Sequence, residues 1–396
     1  MLHNISIIGG CGHIGLPLGI LLAKVGHKVN LVDLDQSRVD LVNNAKLPFL
    51  EPGGEILLAE QINNKRLHAT SDLQTISSSS IIITTVGTPV DEYQSPVPRI
   101  FRDFLNSIKE YLRADQLFIL RSTVFPGTAR WMANELEPFG VDLAFCPERI
   151  LQGKAFLEIG DIPQIVSGAS SNAVNRASIL FQDVSQGVIE CSLEEAELAK
   201  LYLNAFRYAQ FAVSNEFYRI AVENGLDYSR IHNVMISGYE RGKLIPKAGL
   251  AAGPCLLKDT QQLIAFSNNS FLSGNAAVLA NEGLPITLIR VMEDMVELKN
   301  STVGILGMAF KPEIDDIRSS LSYRVKKMLQ LKAKDVLTTD PYVTADSNLL
   351  PLEVVIDRSD IIIICTPHNI YRDLDLKGKP VLDIWKILPK TESNRK

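Results

Sequence analysis

The segment NISIIGGCGHIGLPLGILLAKVGHKVNLVD, residues 4–33, constrains the fold more than any other. A short apolar run ends in glycines, and a helical run begins at once. Gly10, Gly12 and Gly15 fall at G-x-G-x-x-G spacing, and Asp33 ends the next strand-like run, 18 residues after Gly15. Strand, helix, glycines and spaced acid together read as a βαβ unit that binds a dinucleotide. The glycines permit a tight turn and a close approach of backbone to a pyrophosphate. The helix N-terminus then offers N–H groups and a partial positive charge. Asp33 would accept hydrogen bonds from the adenine ribose and repel a 2′-phosphate, so NAD is expected rather than NADP. Cys11, inside the motif, reads as a filler.

Strand and helix signals go on alternating to about residue 145. Residues 27–33, 79–87, 115–123 and 141–147 read as strands, the second an unbroken apolar run of the kind buried in parallel sheets. Residues 14–26 and 36–44 read as helices. Residues 193–224 hold no Gly or Pro and repeat apolar residues at helical spacing. They predict one helix about 45–50 Å long, a natural connector and dimer surface. The α/β pattern restarts at 301, with strands over 301–310, 335–340, 359–368 and 379–385. IIITTVGTP near residue 85 is echoed by IIIICTPH near residue 364. The expected architecture is α/β: two Rossmann-like doubly wound domains joined by a long central helix. The expected boundaries are 1–190, 191–298 and 299–396, with a disordered tail PKTESNRK.

The chain of 396 residues is 46% hydrophobic and 21% charged, enough for two or three ordinary cores. Its net charge of -5, without a basic block, argues against nucleic acid as a partner. No apolar run reaches 18 residues, so no membrane span is expected. The opening MLHNISIIGG lacks the basic start and cleavage site of a signal peptide. Five scattered cysteines without a CxxC fit free thiols in a reducing cytoplasm, with no metal site.

One cysteine stands apart. AAGPCLLKDT, residues 251–260, puts Cys255 in a Gly-Pro turn ahead of a helical run. A helix N-terminus or a nearby cation lowers a thiol's pKa. Lys258 lies one turn on, and Asp259 at i+4 shares the Cys255 face. Spacing alone leaves two readings open. One is a nucleophile with a carboxylate that handles protons or water. The other is a buried cysteine ahead of a helix whose Lys and Asp face solvent.

Several ordered motifs resemble the UDP-glucose/GDP-mannose dehydrogenase family, over nearly the whole chain. They are IIGGCGHIGLPL, VGTP (86–89), STVFPGT (122–128), CPERILQG (146–153), EEAELAKLYLNAF (194–206), GPCLLKD (253–259), GMAFKPEIDDIRSS (307–320), TTDPY (338–342) and ICTPHNIYRDL (364–374). The resemblance implies an NAD-dependent enzyme that oxidises the primary alcohol of a nucleotide sugar twice, to a uronic acid. PER and GPCL look more like the UDP-N-acetylhexosamine branch, with UDP-N-acetylmannosamine dehydrogenases the nearest fit and UDP-glucose or UDP-N-acetylglucosamine as alternative substrates. It makes Cys255 the nucleophile, passing through a thiohemiacetal and a thioester. Lys200 and Asn204 would stabilise an oxyanion, Asp259 and Thr123 would hold a water, and Glu148 would act as general base or position the sugar. It places Gly10, Gly12, His13, Ile14, Gly15, Asp33, Arg38, Thr85, Val86, Gly87, Thr88, Thr123, Lys258 and Arg318 around the cofactor. It places Glu148, Arg149, Ile150, Lys200, Asn204, Arg241, Gly253, Phe310 and Lys311 around the UDP-sugar, with Arg241 reaching in from the partner of a homodimer. Asp316 joins Lys311 and Arg318 after a strand of the C-terminal domain.

Two departures bear on the sugar. Ala251 and Ala252 stand where relatives are richer in glycine, which narrows backbone freedom. Gln152 stands where the glucose branch tends to carry a second glutamate, and it cannot act as an acid or base. Two rivals remain in view. A two-electron hydroxyacid dehydrogenase needs neither Cys255 nor a second nucleotide-binding domain. A catalytically silent nucleotide-sugar binder would form no NADH.

Overall fold

Apolar alternation builds the first sheet. Ile5 and Ile7 pack into one core with Leu31, Ile81, Ile83, Leu117 and Ile119. Ile8, Val32, Ile82, Phe118 and Leu120 pack into another. Successive residues face opposite ways, so a sheet covered on both faces needs unbroken apolar strands. The computed structural model describes residues 2–88, 91, 97 and 99–389. Pro89 of VGTP and all but the first residue of the PKTESNRK tail lie outside the described residues.

The chain divides into two units, Met1–Leu203 with Gln261–Phe266, and Asn204–Thr260 with Ser267–Lys396. The first unit holds β1 (Asn4–Ile8), β2 (Lys28–Val32), β3 (Leu67–Thr70), β4 (Ile81–Thr84), β5 (Leu117–Leu120), β6 (Asp142–Phe145), β7 (Gln164–Gly168) and β8 (Val188–Glu190). Their order is β3-β2-β1-β4-β5-β6-β7-β8. Neighbours are parallel except β6 and β7, where Ala144 pairs with Gly168 and Phe145 with Ser167. The helix Gly15–Lys24 starts directly from the loop after β1, and Gly26 at φ 114 follows its end.

The second unit holds β9 (Thr302–Leu306), β10 (Asp335–Thr339), β11 (Ile361–Ile364) and β12 (Val381–Leu382). All pair in parallel, in the order β10-β9-β11-β12. β4 and β11, which carry the echoed IIIT and IIII runs, lie beside β1 and β9. The helix Leu193–Glu223 is unbroken over 31 residues. Its first residues belong to one unit and the rest to the other. The helix Leu272–Met295 had no clear sequence signal, because Pro285 lies inside it. The edge strands β3 and β8, of four and three residues, and β7, which lies between β6 and β8, also went unread. Among the described residues, no helix is long and apolar enough to cross a membrane.

Candidate active site

The loop after β1 is built for close approach. A Cβ on Gly10 would lie 2.5 Å from Ile7 O, and one on Gly15 would lie 2.7 Å from Gly9 O. No side chain caps the helix at Ile14, so the first-turn N–H groups face the loop. Asp33 Oδ2 accepts from Cys11 N at 3.0 Å, which turns the acid toward the loop. This cradle fits a dinucleotide pyrophosphate and ribose. Arg38 pairs with Asp35, two residues beyond Asp33, at 3.3 Å. His13 packs on Phe49, with ring centroids 4.0 Å apart, and its Nδ1 lies 3.1 Å from Gln152 Nε2. Gln152, singled out as a departure, thus packs against the glycine loop. Burial pushes the Cys11 thiol up to about 12, as it does for Cys146 and Cys365. These three are inert fillers.

Two loops at the ends of β4 and β5 clasp each other. Thr85 Oγ1 donates to Ile8 O and Gly9 O. Ser122 Oγ donates to Val86 O at 2.7 Å, and Thr88 Oγ1 to Thr123 O at 2.7 Å. No atom crowds a Cβ built on Gly87. Glu197 secures the next turn. Its carboxylate accepts from Gly127 N and Ala129 N, both at 2.7 Å. It thereby caps the helix Thr128–Leu136, whose own N-cap residue is glycine. Burial raises the Glu197 pKa, and the two N–H donors oppose the rise.

Lys200 lies one turn beyond Glu197. Its ammonium donates to Glu148 Oε1 at 3.2 Å, with both residues buried. Glu148 Oε2 accepts from Ile150 N at 2.8 Å. Arg149 turns away to donate to Pro163 O, and desolvation lowers its pKa. A buried lysine beside a buried carboxylate is a stored charge pair, suited to stabilising negative charge on a third group.

In the second unit, Asn204 Nδ2 donates to Asp259 Oδ2 at 2.6 Å, and Asp259 is fully buried. Asp259 Oδ1 lies 3.3 Å from Lys258 Nζ without a directed hydrogen bond. The helix starts at Leu256, and Cys255 O accepts from Asp259 N at 2.8 Å. Cys255 therefore sits at the N-cap. It is the exposed cysteine of the five. The Arg318 guanidinium interacts electrostatically with it. Arg318 also forks onto Asp316, with Nη2 to Oδ2 at 2.6 Å.

Gly253 has φ +108, and a Cβ there would meet the Phe310 ring at 2.6 Å. The left-handed residue of the loop is this glycine, not Ala251 or Ala252. Ala251 instead packs with Tyr208, Ala212 and Ala277. The two alanines thus cost the loop no strained conformation. Lys311 Nζ lies 6.0 Å from the Phe310 ring centroid. Arg241 stands on an exposed turn against Tyr239, 5.7 Å from its ring. No group of His, Cys, Asp and Glu among the described residues is suited to a metal.

Residues 3–185 match the NAD binding domain of the UDP-glucose/GDP-mannose dehydrogenase family, 194–281 its central domain and 304–390 its UDP binding domain. The chain belongs to that family. It is an NAD-dependent oxidoreductase. It is 29% identical to the UDP-N-acetyl-D-mannosamine dehydrogenase of Pyrococcus horikoshii, over 92% of this chain and 90% of that one. It is 27% identical to the UDP-glucose 6-dehydrogenase TuaD of Bacillus subtilis, over 91% and 80%. A solved structure of the Pyrococcus horikoshii UDP-D-ManNAc dehydrogenase superposes with a TM-score of 0.90 at 25% identity, covering 98% of this chain and 96% of that one.

Proposed function

We propose that this protein oxidises the primary alcohol of UDP-N-acetylmannosamine to the carboxylate in two successive two-electron steps. The observation that carries the reading is Cys255. It is exposed at a helix N-cap, one turn from an Asp259 that is fully buried and bonded to Asn204. A one-step alcohol dehydrogenase has no use for that arrangement. The sugar is taken from the relatives that this chain resembles.

NAD, when bound, supplies a hydride acceptor for each oxidation. Glu148 takes the proton of the alcohol or orients the sugar. The Cys255 sulfur adds to the aldehyde carbon, and the carbonyl oxygen becomes an oxyanion. Lys200 and Asn204, one turn apart on one helix, stabilise that oxygen. Loss of the second hydride leaves a thioester on Cys255. Asp259 and Thr123 hold the water that adds to it, and the thiolate leaves as the carboxylate forms. Lys311 holds the UDP phosphates or the sugar. Arg318 holds the cofactor and, beside Cys255, favours the thiolate.

Phe206, Val213, Phe217 and Ile220 stand exposed at helical spacing on the helix Leu193–Glu223. Such a stripe supports a homodimer through this helix, which a sedimentation mass of one chain would refute. A cytoplasmic site of action fits the free thiols and the nucleotide-sugar reading.

The deciding measurement is the NADH yield from limiting UDP-N-acetylmannosamine under excess NAD. UDP-glucose and UDP-N-acetylglucosamine run beside it, with Cys255→Ser in parallel. Two NADH per sugar, lost in the variant, is the expected result. Two NADH only from UDP-glucose, the substrate named for TuaD, would move the sugar and keep the mechanism. One NADH from every sugar would overturn the role of Cys255.

A further inference from the structure

Arg121 follows β5 and heads the fully buried side chains by volume, at 2% exposure. Its guanidinium stacks 5.2 Å over the Phe181 ring. Its Nη1 donates to Cys146 O at 3.2 Å and to Gln164 Oε1 at 2.8 Å. Both acceptors are neutral, and Nε is buried without a hydrogen-bond partner. Burying a guanidinium against neutral oxygens is costly, so a use is to be looked for.

The network leads to Glu148. Gln164, also buried, donates from Nε2 to Pro147 O and to Ile165 O, both at 2.8 Å. Arg121 and Gln164 therefore hold the carbonyls of Cys146 and Pro147, the two residues directly before Glu148. Cys146 N still donates to Leu120 O at 2.9 Å, the last bond on the β5 side. The β6–β7 ladder stops at Phe145 and Ser167, and Pro147 has no N–H to donate. Arg121 also attracts the Glu148 carboxylate across the buried interior.

We propose that Arg121 and Gln164 are positioning residues, a buried clamp that keeps the Glu148 carboxylate in register with Lys200 during the oxidation. The proposal rests on the reading of Glu148 as general base or sugar-orienting group. A displacement of about 1 Å in such a group costs on the order of 100-fold in rate.

The test compares wild type with Arg121→Met, Arg121→Lys, Gln164→Met, Glu148→Gln and the double variant Arg121→Met/Glu148→Gln. Readouts are kcat and KM with whichever UDP-sugar the wild type oxidises fastest, NAD affinity and thermal midpoint. The expected result is a kcat lowered by roughly 10- to 100-fold in Arg121→Met and Gln164→Met, with NAD affinity within about threefold. Arg121→Lys, which keeps a donor, recovers part of the rate. The double variant is no slower than Glu148→Gln alone, because the clamp acts through that carboxylate. Gln164→Met carries the test if Arg121→Met does not fold. Wild-type kcat in both clamp variants beside a crippled Glu148→Gln would overturn the proposal alone. So would losses that multiply in the double variant. Wild-type kcat in Glu148→Gln would overturn the reading of Glu148 and the proposal with it.

Discussion

In the N-terminal sheet, Gly9 follows β1 at φ 75 and donates to Val32 O at 2.9 Å. In the C-terminal sheet, Gly307 follows β9 at φ 90 and donates to Thr339 O at 2.9 Å. The two turns are built alike and then diverge. After Gly9 the helix begins within six residues, at Gly15. After Gly307 it waits until Leu321, and the intervening loop carries Phe310, Lys311, Asp316 and Arg318. The acids that end the second strands differ too. Asp33 is half-buried and accepts two backbone N–H groups, from Cys11 and Asp35. The Asp340 carboxylate is fully buried and accepts from Met308 N, Ala309 N, Tyr342 N and Val343 N. It also lies 3.0 Å from His368 Nε2, and His368 Nδ1 accepts from Glu313 N. One acid accepts two N–H groups and stays part-exposed; the other is consumed by its own protein. A shared topology therefore does not imply a shared ligand. The first sheet offers backbone amides and a helix N-terminus, and the second offers side chains on a long loop.

The sharpest way to break this contrast is Asp340→Asn. An amide cannot accept all of those donors, and His368 loses its buried partner. A loss of about 3–5 kcal/mol is expected in denaturant unfolding of the full chain. The contrast fails if the loss is under about 1 kcal/mol. Burial alone would push the Asp340 pKa up, but the His368 and backbone hydrogen bonds hold it below the usual carboxylate range. A carboxyl depressed in the folded state stabilises above its unfolded pKa of about 3.9, and that stability goes as pH falls through the folded value. Wild type should lose stability below about pH 4, with Asp340→Asn showing a flatter acid limb.

Lys311→Ala comes next. If the second sheet grips its ligand by side chains, the loss of one charge-assisted contact should cost about 1.5–3 kcal/mol of UDP-sugar binding. That is roughly a tenfold to hundredfold rise in KM, with NAD affinity and thermal midpoint unchanged. An unmoved KM would leave the long loop without its assigned purpose. Gly10→Ala probes the other sheet. Its Cβ would meet Ile7 O at 2.5 Å and Leu31 Cα at 2.7 Å. Crowding of this kind costs about 1–3 kcal/mol, here with weakened NAD binding and unaltered UDP binding in calorimetric titration.

The two regions also differed in how far they could be read. The N-terminal loop was legible because backbone recognition demands glycine, and glycine at fixed spacing is a visible residue type. Strands β1, β2, β4, β5 and β6 were legible for the same local reason, their apolar residues, which alternate with polar ones in β2 and run unbroken in β5. Helix Leu193–Glu223 ended within one residue of its expected span, since nothing in 32 residues interrupts it. What local pattern cannot carry is a partner far along the chain. Glu197 bonded to Gly127 and Ala129, Gln164 bonded to Pro147, and His368 beside Asp340 all join residues separated by 17 to 70 positions. Gln152 was noticed only as a missing acid, whereas its amide packs on His13, 139 residues away.

The smallest effect separates the two acids directly. Asp33 bonds two N–H groups, one exposed and one part-buried, so Asp33→Asn should change stability by less than about 1 kcal/mol. Its consequence belongs to the ribose. A carboxylate accepts from the ribose hydroxyls and repels a 2′-phosphate; an amide does neither as well. The ratio of kcat/KM for NAD over NADP should fall by about tenfold, about 1.4 kcal/mol of discrimination, with the UDP-sugar KM steady. An unchanged ratio would mean that Asp33 is spent on Cys11 N and Asp35 N much as Asp340 is spent on its loop. The two acids would then differ in exposure and not in use, and the selectivity for NAD would have to come from elsewhere along the loop between β1 and its helix.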